Sequence, residues 1–230
     1  NAKYTEYKIK LQTLDFDSKY FLDSILLSES LKSTQIEGTQ ISQDEMYYLK
    51  YMEETDDNKE IQNLKASSNL KKTVEYAYEK IITGKNIDFE LVNTMHRLLL
   101  DSVRGSKKKP GHIRTTQNWI GPKGAGIDNA IFIPPAPENV YGLLENLYGY
   151  MNDEFIDPYL INVALSHAQF ETIHAYSDGN GRLGRALIPI QMARFEQDKP
   201  ILYMSEILEL YKPAYQYNLM ESRKGNYLGY

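Results

Sequence analysis

The chain has 230 residues, 42% hydrophobic and 25% charged, close to the soluble globular average, which excludes the collagen-like and disordered classes. Zero cysteines exclude a disulfide framework, a thiolate zinc site and a cysteine nucleophile, and no run approaches the roughly 18 apolar residues that span a bilayer. The net charge of −5 means that nucleic-acid contact would need a local patch, and the one basic run, Lys107-Lys108-Lys109, reads instead as a solvated loop before Pro110-Gly111.

Residues 1–10 carry no apolar signal-peptide core, and the first residue is Asn rather than Met, as in a trimmed chain. The expectation is a cytoplasmic protein without membrane attachment. Residues 16–36 place Phe21, Leu22, Ile25, Leu26 and Leu31 on one helical stripe, with Gly38 as a stop signal. Residues 41–52 read as a second helix, with Ser42 and Glu45 forming a capping-box pattern. Asp56-Asp57-Asn58 breaks the periodicity and marks the expected boundary between an N-terminal arm, 1–55, and a core, 56–200. Helices follow at 59–83 and 88–100.

Between 105 and 137 Gly, Pro, Asn and Asp are dense and helical spacing disappears. Two β-prone runs, 118–120 and 131–133, flank the Gly-rich stretch 121–130 and predict a small hairpin with a wide loop. Pro134-Pro135 removes two ladder donors and confines the second strand to an edge. Helices resume at 139–151, 158–174, 181–197, 204–211 and 213–221, the last within a C-terminal segment, 201–230. The predicted fold is mainly α, a helical bundle with one surface hairpin.

Chemistry concentrates in residues 174–185, H-A-Y-S-D-G-N-G-R-L-G-R, where one apolar helix ends and another begins. The second helix presents unpaired N–H groups and its positive dipole end to the preceding loop. Gly179 and Gly181 let the backbone approach a ligand closely, as an anion nest requires. Arg182 and Arg185, three apart, share a face of the first turn, so two guanidinium forks converge with the amides on one multiply charged anion such as a polyphosphate. A carboxylate at Asp178 fits such a pocket when a hard cation, Mg²⁺, is bound as well. His174 supplies a group that takes a proton near neutral pH. The phosphate-loop, EF-hand and H-E-x-x-H zinc patterns all fail here, because the residues that each requires are missing.

The run closely resembles the signature of the Fic family, H-P-F-x-[DE]-G-N-G-R-x-x-R. His174, Asp178, Gly179, Asn180, Gly181, Arg182 and Arg185 match, and Ser177 fills a free position. Ala175 replaces Pro, which loses rigidity but no chemical group, and Tyr176 replaces Phe, which keeps the aromatic packing. Residues 111–114 and 118–121, then Ile131-Phe132-Ile133-Pro134-Pro135, are similar to the family's approach to its flap. Upstream, Ser33-Thr34-Gln35-Ile36-Glu37-Gly38 matches the family's inhibitory motif [ST]-x-x-x-E-[GN], the one match in the chain. The resemblance spans about residues 20–228, short of the winged-helix domain into which many such proteins continue.

The resemblance implies a protein AMP-transferase using ATP and Mg²⁺. His174 would be the base, and Asp178 the metal ligand. Gly179, Asn180 and Gly181 would line the anion site, and Arg182 and Arg185 would neutralise the outer phosphates. Ser33, Glu37 and Gly38 would form the inhibitory helix end, with Glu37 paired to Arg185. The flap residues Ile131, Phe132 and Ile133 would dock a target protein by strand pairing, with self-modification and a homo-oligomer as further expectations. Tyr215 would lie near the adenine by family position, whereas His167 reads as a packing residue. Removal of AMP from a modified protein is the second enzymatic reading, with Glu37 positioning a water. A weakly active regulatory or toxin-type module is the third. The Doc-type kinase branch typically carries Lys where Gly181 stands.

Overall fold

A computed structural model describes residues 2–13, 18–38, 59–122, 124, 126–153 and 158–227. Among these the architecture is helical: α1 Ala2–Thr13, α2 Ser18–Ile36, α3 Lys59–Ile82, α4 Phe89–Leu99, α5 Pro137–Met151, α6 Tyr159–Ile173, α7 Asn180–Glu196, α8 Ser205–Leu210 and α9 Lys212–Ser222. The mainly-α expectation holds. The expected helix at 41–52 and the boundary at 56–58 lie outside the described residues. No described helix is long and apolar enough to cross a membrane.

The axis of the bundle is α7. Its run L-G-R-A-L-I-P-I-Q-M-A is apolar but for Arg185 and Gln191, and residues from Arg182 to Ala193 are buried. A helix without a polar face has to be surrounded, and α3, α4, α5 and α6 supply the wall through Leu70, Val74, Leu91, Met95, Leu144 and Phe170. Gly184 lets α6 approach closely. A Cβ there would collide with the Glu171 carboxylate and stand 3.1 Å from Phe170.

Around that axis α2 lies across α3 and α8. Buried Glu29 accepts hydrogen bonds from the backbone N–H (2.8 Å) and hydroxyl (2.5 Å) of Ser205, capping α8, while Thr34 and Ser67 share a hydroxyl contact of 2.9 Å. Lys212 Nζ reaches the Ile36 carbonyl at 2.5 Å and satisfies one orphan acceptor at the end of α2. The sequence reading missed α1, which has no buried residue and therefore no apolar stripe to betray it. Its anchors are polar: Lys8 pairs with Glu196 at 2.8 Å, and Tyr4 meets Tyr159 edge to face.

The hairpin is the correction. The two runs do meet, but at a single antiparallel bridge, Ile120 with Phe132, and no strand extends among the described residues. Side chains take the ladder's acceptors instead. Gln117 Nε2 donates to the Pro134 carbonyl at 2.9 Å, and Arg114 donates to that of Pro135 at 2.5 Å. Neither proline has a donor to return. Ile131 and Ile133 are left exposed.

Candidate active site

The loop joining α6 to α7 is held in an unusual path by three side chains. His174 ends α6 in the left-handed region, φ 49° and ψ 57°, which a non-glycine residue adopts only when its surroundings hold it there. Arg114, buried, donates from Nε to the His174 carbonyl at 3.0 Å and reaches the Ile173 carbonyl at 3.4 Å, while its own N–H bonds the Ala175 carbonyl at 2.9 Å. Asn118 Nδ2 spans the carbonyls of His174 and Tyr176, both at 3.1 Å. Asn180 closes the loop from the other side, accepting from the Tyr176 N–H at 2.8 Å and donating to its carbonyl at 2.7 Å. Its side chain is thus committed to the loop, and what it can offer a ligand is its backbone N–H.

The two departures from the signature are accommodated. The Tyr176 ring is fully buried and its hydroxyl donates to Asn93 Oδ1 at 2.7 Å, so the added oxygen has a partner. Ala175 is fully buried, and the Arg114 clamp on its carbonyl holds the loop where proline would have stiffened it.

His96, which the sequence left without a role, fixes the next stretch. It accepts from the Gly111 N–H at Nδ1 (2.7 Å), so Nε2 carries the proton and donates to the Asp178 carbonyl at 2.9 Å. Burial pushes its pKa down to about 4, in keeping with this neutral tautomer, and its ring stacks on Tyr176 at 4.0 Å.

Gly179 caps α7 with φ 77°, a conformation open to glycine, and no side chain caps the helix. The N–H groups of the first turn therefore face the site. Two arginines project there. Arg185 is 2% exposed, and its Nε donates to Ser33 Oγ at 2.9 Å. One terminal nitrogen, Nη2, donates both to the Ser33 carbonyl at 2.9 Å and to Glu37 Oε1 at 2.8 Å. Arg182 is also buried, touches Asp178 Oδ1 at 3.4 Å, and its Nε finds no hydrogen-bond partner among the described residues. That orphan donor points to an anionic ligand.

Glu37 already sits in the anion site. A Cβ on Gly181 would collide with its Oε1, so the carboxylate rests against the α7 N-terminus. Burial opposes its charge, yet Arg185 outweighs burial and holds the carboxyl below the usual range. Gly38 lies beyond the end of α2, exposed, at φ 88°.

Asp178 Oδ1 is taken by the Gly179 N–H at 2.7 Å and by Arg182. No hydrogen bond within the described residues reaches Oδ2, and Gly105 approaches it without a side chain, leaving room beside that oxygen. One free carboxylate oxygen fits a hard cation whose other ligands are phosphate oxygens and water. No group of three acidic or His residues forms a cage among the described residues.

His174 lies close enough to Glu37 for that carboxylate to act on its charge. Burial pushes its pKa down to about 4; the Glu171 carbonyl opposes the shift, and Arg223 and Arg114 add to it. The imidazole is therefore neutral at pH 7, as a proton acceptor must be. His167, buried about two turns earlier on α6, pairs its Nε2 with the Tyr215 hydroxyl at 2.9 Å. Glu171, one turn before His174, is buried with Oε1 unpartnered, and burial raises its pKa to about 7.

The comparisons agree with this geometry. The model of the Fic/DOC family matches residues 86–192, and that of the Fic/DOC family N-terminal region matches 2–79. "Protein adenylyltransferase fic-1" of Caenorhabditis elegans is 31% identical over 140 residues, 60% of this chain and 25% of that protein. "Probable protein adenylyltransferase aq_aa38" of Aquifex aeolicus is 25% identical over 73% of this chain and 48% of its own length. The chain thus spans a quarter to about half of these relatives. Two solved structures share the fold, both with TM-score 0.74. A Fic domain containing signaling protein from Bacteroides thetaiotaomicron, 21% identical, covers 93% of this chain and 78% of its own. A Fic-1 fragment from C. elegans, 19% identical, covers 99% and 64%. With both family models matched in succession, over residues 2–79 and 86–192, the chain belongs to the Fic/DOC family.

Proposed function

We propose that the chain transfers AMP from ATP to a hydroxyl side chain, Ser, Thr or Tyr, of a target protein or of itself. The observation that carries this reading is that a neutral His174, the α7 N-terminus without a side-chain cap and two buried arginines, Arg182 and Arg185, stand around one loop with Glu37 between them. His174 takes the proton of the target hydroxyl, and that oxygen attacks the α-phosphorus of ATP as pyrophosphate leaves. The N–H groups of Asn180 and Gly181 receive the triphosphate, with Gly179 letting the chain come close, and Arg182 and Arg185 neutralise its outer charge. Mg²⁺, held by Asp178 Oδ2, would supply charge neutralisation at the phosphates. As in other phosphoryl-type transfers, the protein chiefly positions groups and stabilises charge. Ile131 and Ile133, exposed beside the single bridge, offer main-chain pairing to a target segment.

In this reading α2 is an inhibitory helix. Glu37 occupies the guanidinium that the outer phosphate needs, so ATP binds with its α-phosphate turned from attack until the pair opens. The adenylyltransferase names of the relatives support the reaction class. The test is incubation with ATP, Mg²⁺ and a cell lysate, followed by mass spectrometry. A 5′-AMP phosphodiester on a hydroxyl side chain is expected, and a phosphoryl adduct instead would refute the reading. AMP removal from a modified protein is the second reading, favoured by the same carboxylate, which could orient a water at the phosphate site.

A further inference from the structure

The flap is weakly attached by its backbone, through one bridge at Ile120 and Phe132. Yet Ile131 and Ile133 turn outward at 62% and 53% exposure while Phe132, between them, turns inward. What it meets is a cation. The Arg223 guanidinium, at the C-cap of α9, lies over the Phe132 ring with Cζ 3.9 Å from the ring centroid. The same guanidinium donates from NH2 to the Glu171 carbonyl at 3.3 Å, one turn before His174, and NH1 contacts Met220 Sδ at 2.9 Å. One side chain therefore touches the flap, the end of the helix that carries His174, and its own helix. Carbonyls at a helix C-terminus carry the negative end of the dipole, which favours a cation there. A guanidinium stacks on an aromatic face better than an ammonium does.

We propose that Arg223 is a positioning residue of the transfer reaction, a latch that pins Phe132 and the exposed flap edge to the α6 terminus beside His174. The inference rests on the AMP-transfer reading for its consequence, not for its geometry. A target segment paired with the flap is registered against His174 only if the flap is fixed relative to α6. Arg114 and Asn118 tie the base of the flap, at Pro135 and Asn118, to the His174 carbonyl; the stacked cation adds an attachment at Phe132, between the two exposed isoleucines. Its charge has a further effect, being one of those that hold His174 neutral. Nothing in the latch touches the anion site, so nucleotide affinity should not depend on it.

The chain's single tryptophan, Trp119, adjoins the bridge residue Ile120 and is 41% exposed, so it reports the flap directly. Acrylamide quenching of Trp119 should rise in Arg223→Ala and in Phe132→Leu. The double variant should be no more quenched than either single one, because both remove the same contact. Arg223→Lys, which keeps the charge but loses the planar stack, should fall in between. In a Glu37→Gly background with α-labelled ATP, Arg223→Ala should cut self-modification about 3- to 10-fold while ATP affinity by calorimetry stays within about 2-fold of its parent. Quenching unchanged in Arg223→Ala would overturn the latch, as would additive effects in the double variant or ATP affinity falling in step with transfer. Absence of any label in the Glu37→Gly parent would instead count against AMP transfer, and the quenching comparison would still decide the latch.

Discussion

Replacing Glu37 with Gly should make the enzyme faster and the fold weaker at once. The contact removed is a charge-assisted hydrogen bond of 2.8 Å between Glu37 and an arginine that is 2% exposed. If Glu37 and the outer phosphate compete for that guanidinium, deleting the carboxylate releases a coupling of about 1–3 kcal/mol, or roughly 5- to 150-fold in transfer. The Glu37 side chain is 43% exposed, so water screens part of the pair. The lower part of that range is then expected, about 1–2 kcal/mol and roughly 5- to 30-fold. Arg185 keeps its two bonds to Ser33 in the variant, so the site is not dismantled. It does lose a partner for a buried charge, at a cost of about 1–2 kcal/mol, equivalent to a melting temperature roughly 2–8 °C lower. The assay is self-modification from labelled ATP alongside thermal unfolding. Activity should rise as Tm falls, and Arg185→Ala on top should abolish the gain in activity. Transfer no higher than in the parent would refute the competition between Glu37 and phosphate. If the change instead destroyed an AMP-removing activity, the second reading would take the lead.

Asp178→Ala should lose transfer at every Mg²⁺ concentration that saturates the parent, since the loop has no other hard ligand; an unaltered Mg²⁺ titration would place the metal elsewhere. Gly184→Ala should cost about 1–3 kcal/mol and several degrees of Tm, because its Cβ collides with Glu171 and crowds Phe170, and an unchanged Tm would contradict the close α6–α7 approach. Acid should destabilise the fold from pH 6.5 downward. His96 and His174 at about 4 and His167 at about 3 are depressed, so the unfolded chain takes up their protons first and their contribution is lost as pH falls. Glu171, raised to about 7, works in the opposite direction, contributing fully below about 4.5 and losing that contribution as pH rises through 7. Glu29, also raised by burial, works with Glu171, whereas Glu37, held low by Arg185 against its burial, works with the histidines. The three histidines should still give a net loss of stability between pH 6.5 and 4.5, measurable by denaturant midpoints, and a flat profile there would contradict the buried neutral histidines.

The helices of the core were legible because each carries an apolar stripe or, like α7, a long apolar run with only isolated polar residues. The anion site was legible for a local reason: its amides, glycines and arginines fall within twelve consecutive residues, so helix geometry alone brings them together. The contact of Ser33 and Glu37 with Arg185, about 150 residues away, came from the family motif and not from periodicity. What escaped is long-range and polar. Arg114, Asn118 and His96 act on backbone carbonyls 56 to 82 residues along the chain, and a carbonyl leaves no trace in the sequence. The signal that could have found Arg114 and Asn118 was their place beside the flap runs. Arg223 carries no local pattern that announces its contacts with Phe132 and the Glu171 carbonyl. The hairpin was overread because alternation and turn residues predict pairing, whereas Gln117 and Arg114 had already claimed the acceptors that a ladder would use.

The central claim is that His174 drives transfer of the α-phosphoryl group of ATP as AMP. The most direct measurement compares α-labelled and γ-labelled ATP in the Glu37→Gly chain, with and without His174→Ala. Covalent label is expected from the α-phosphate alone, and it should vanish in His174→Ala while ATP still binds by calorimetry. Label from the γ-phosphate, or full α-labelling in His174→Ala, would contradict the account.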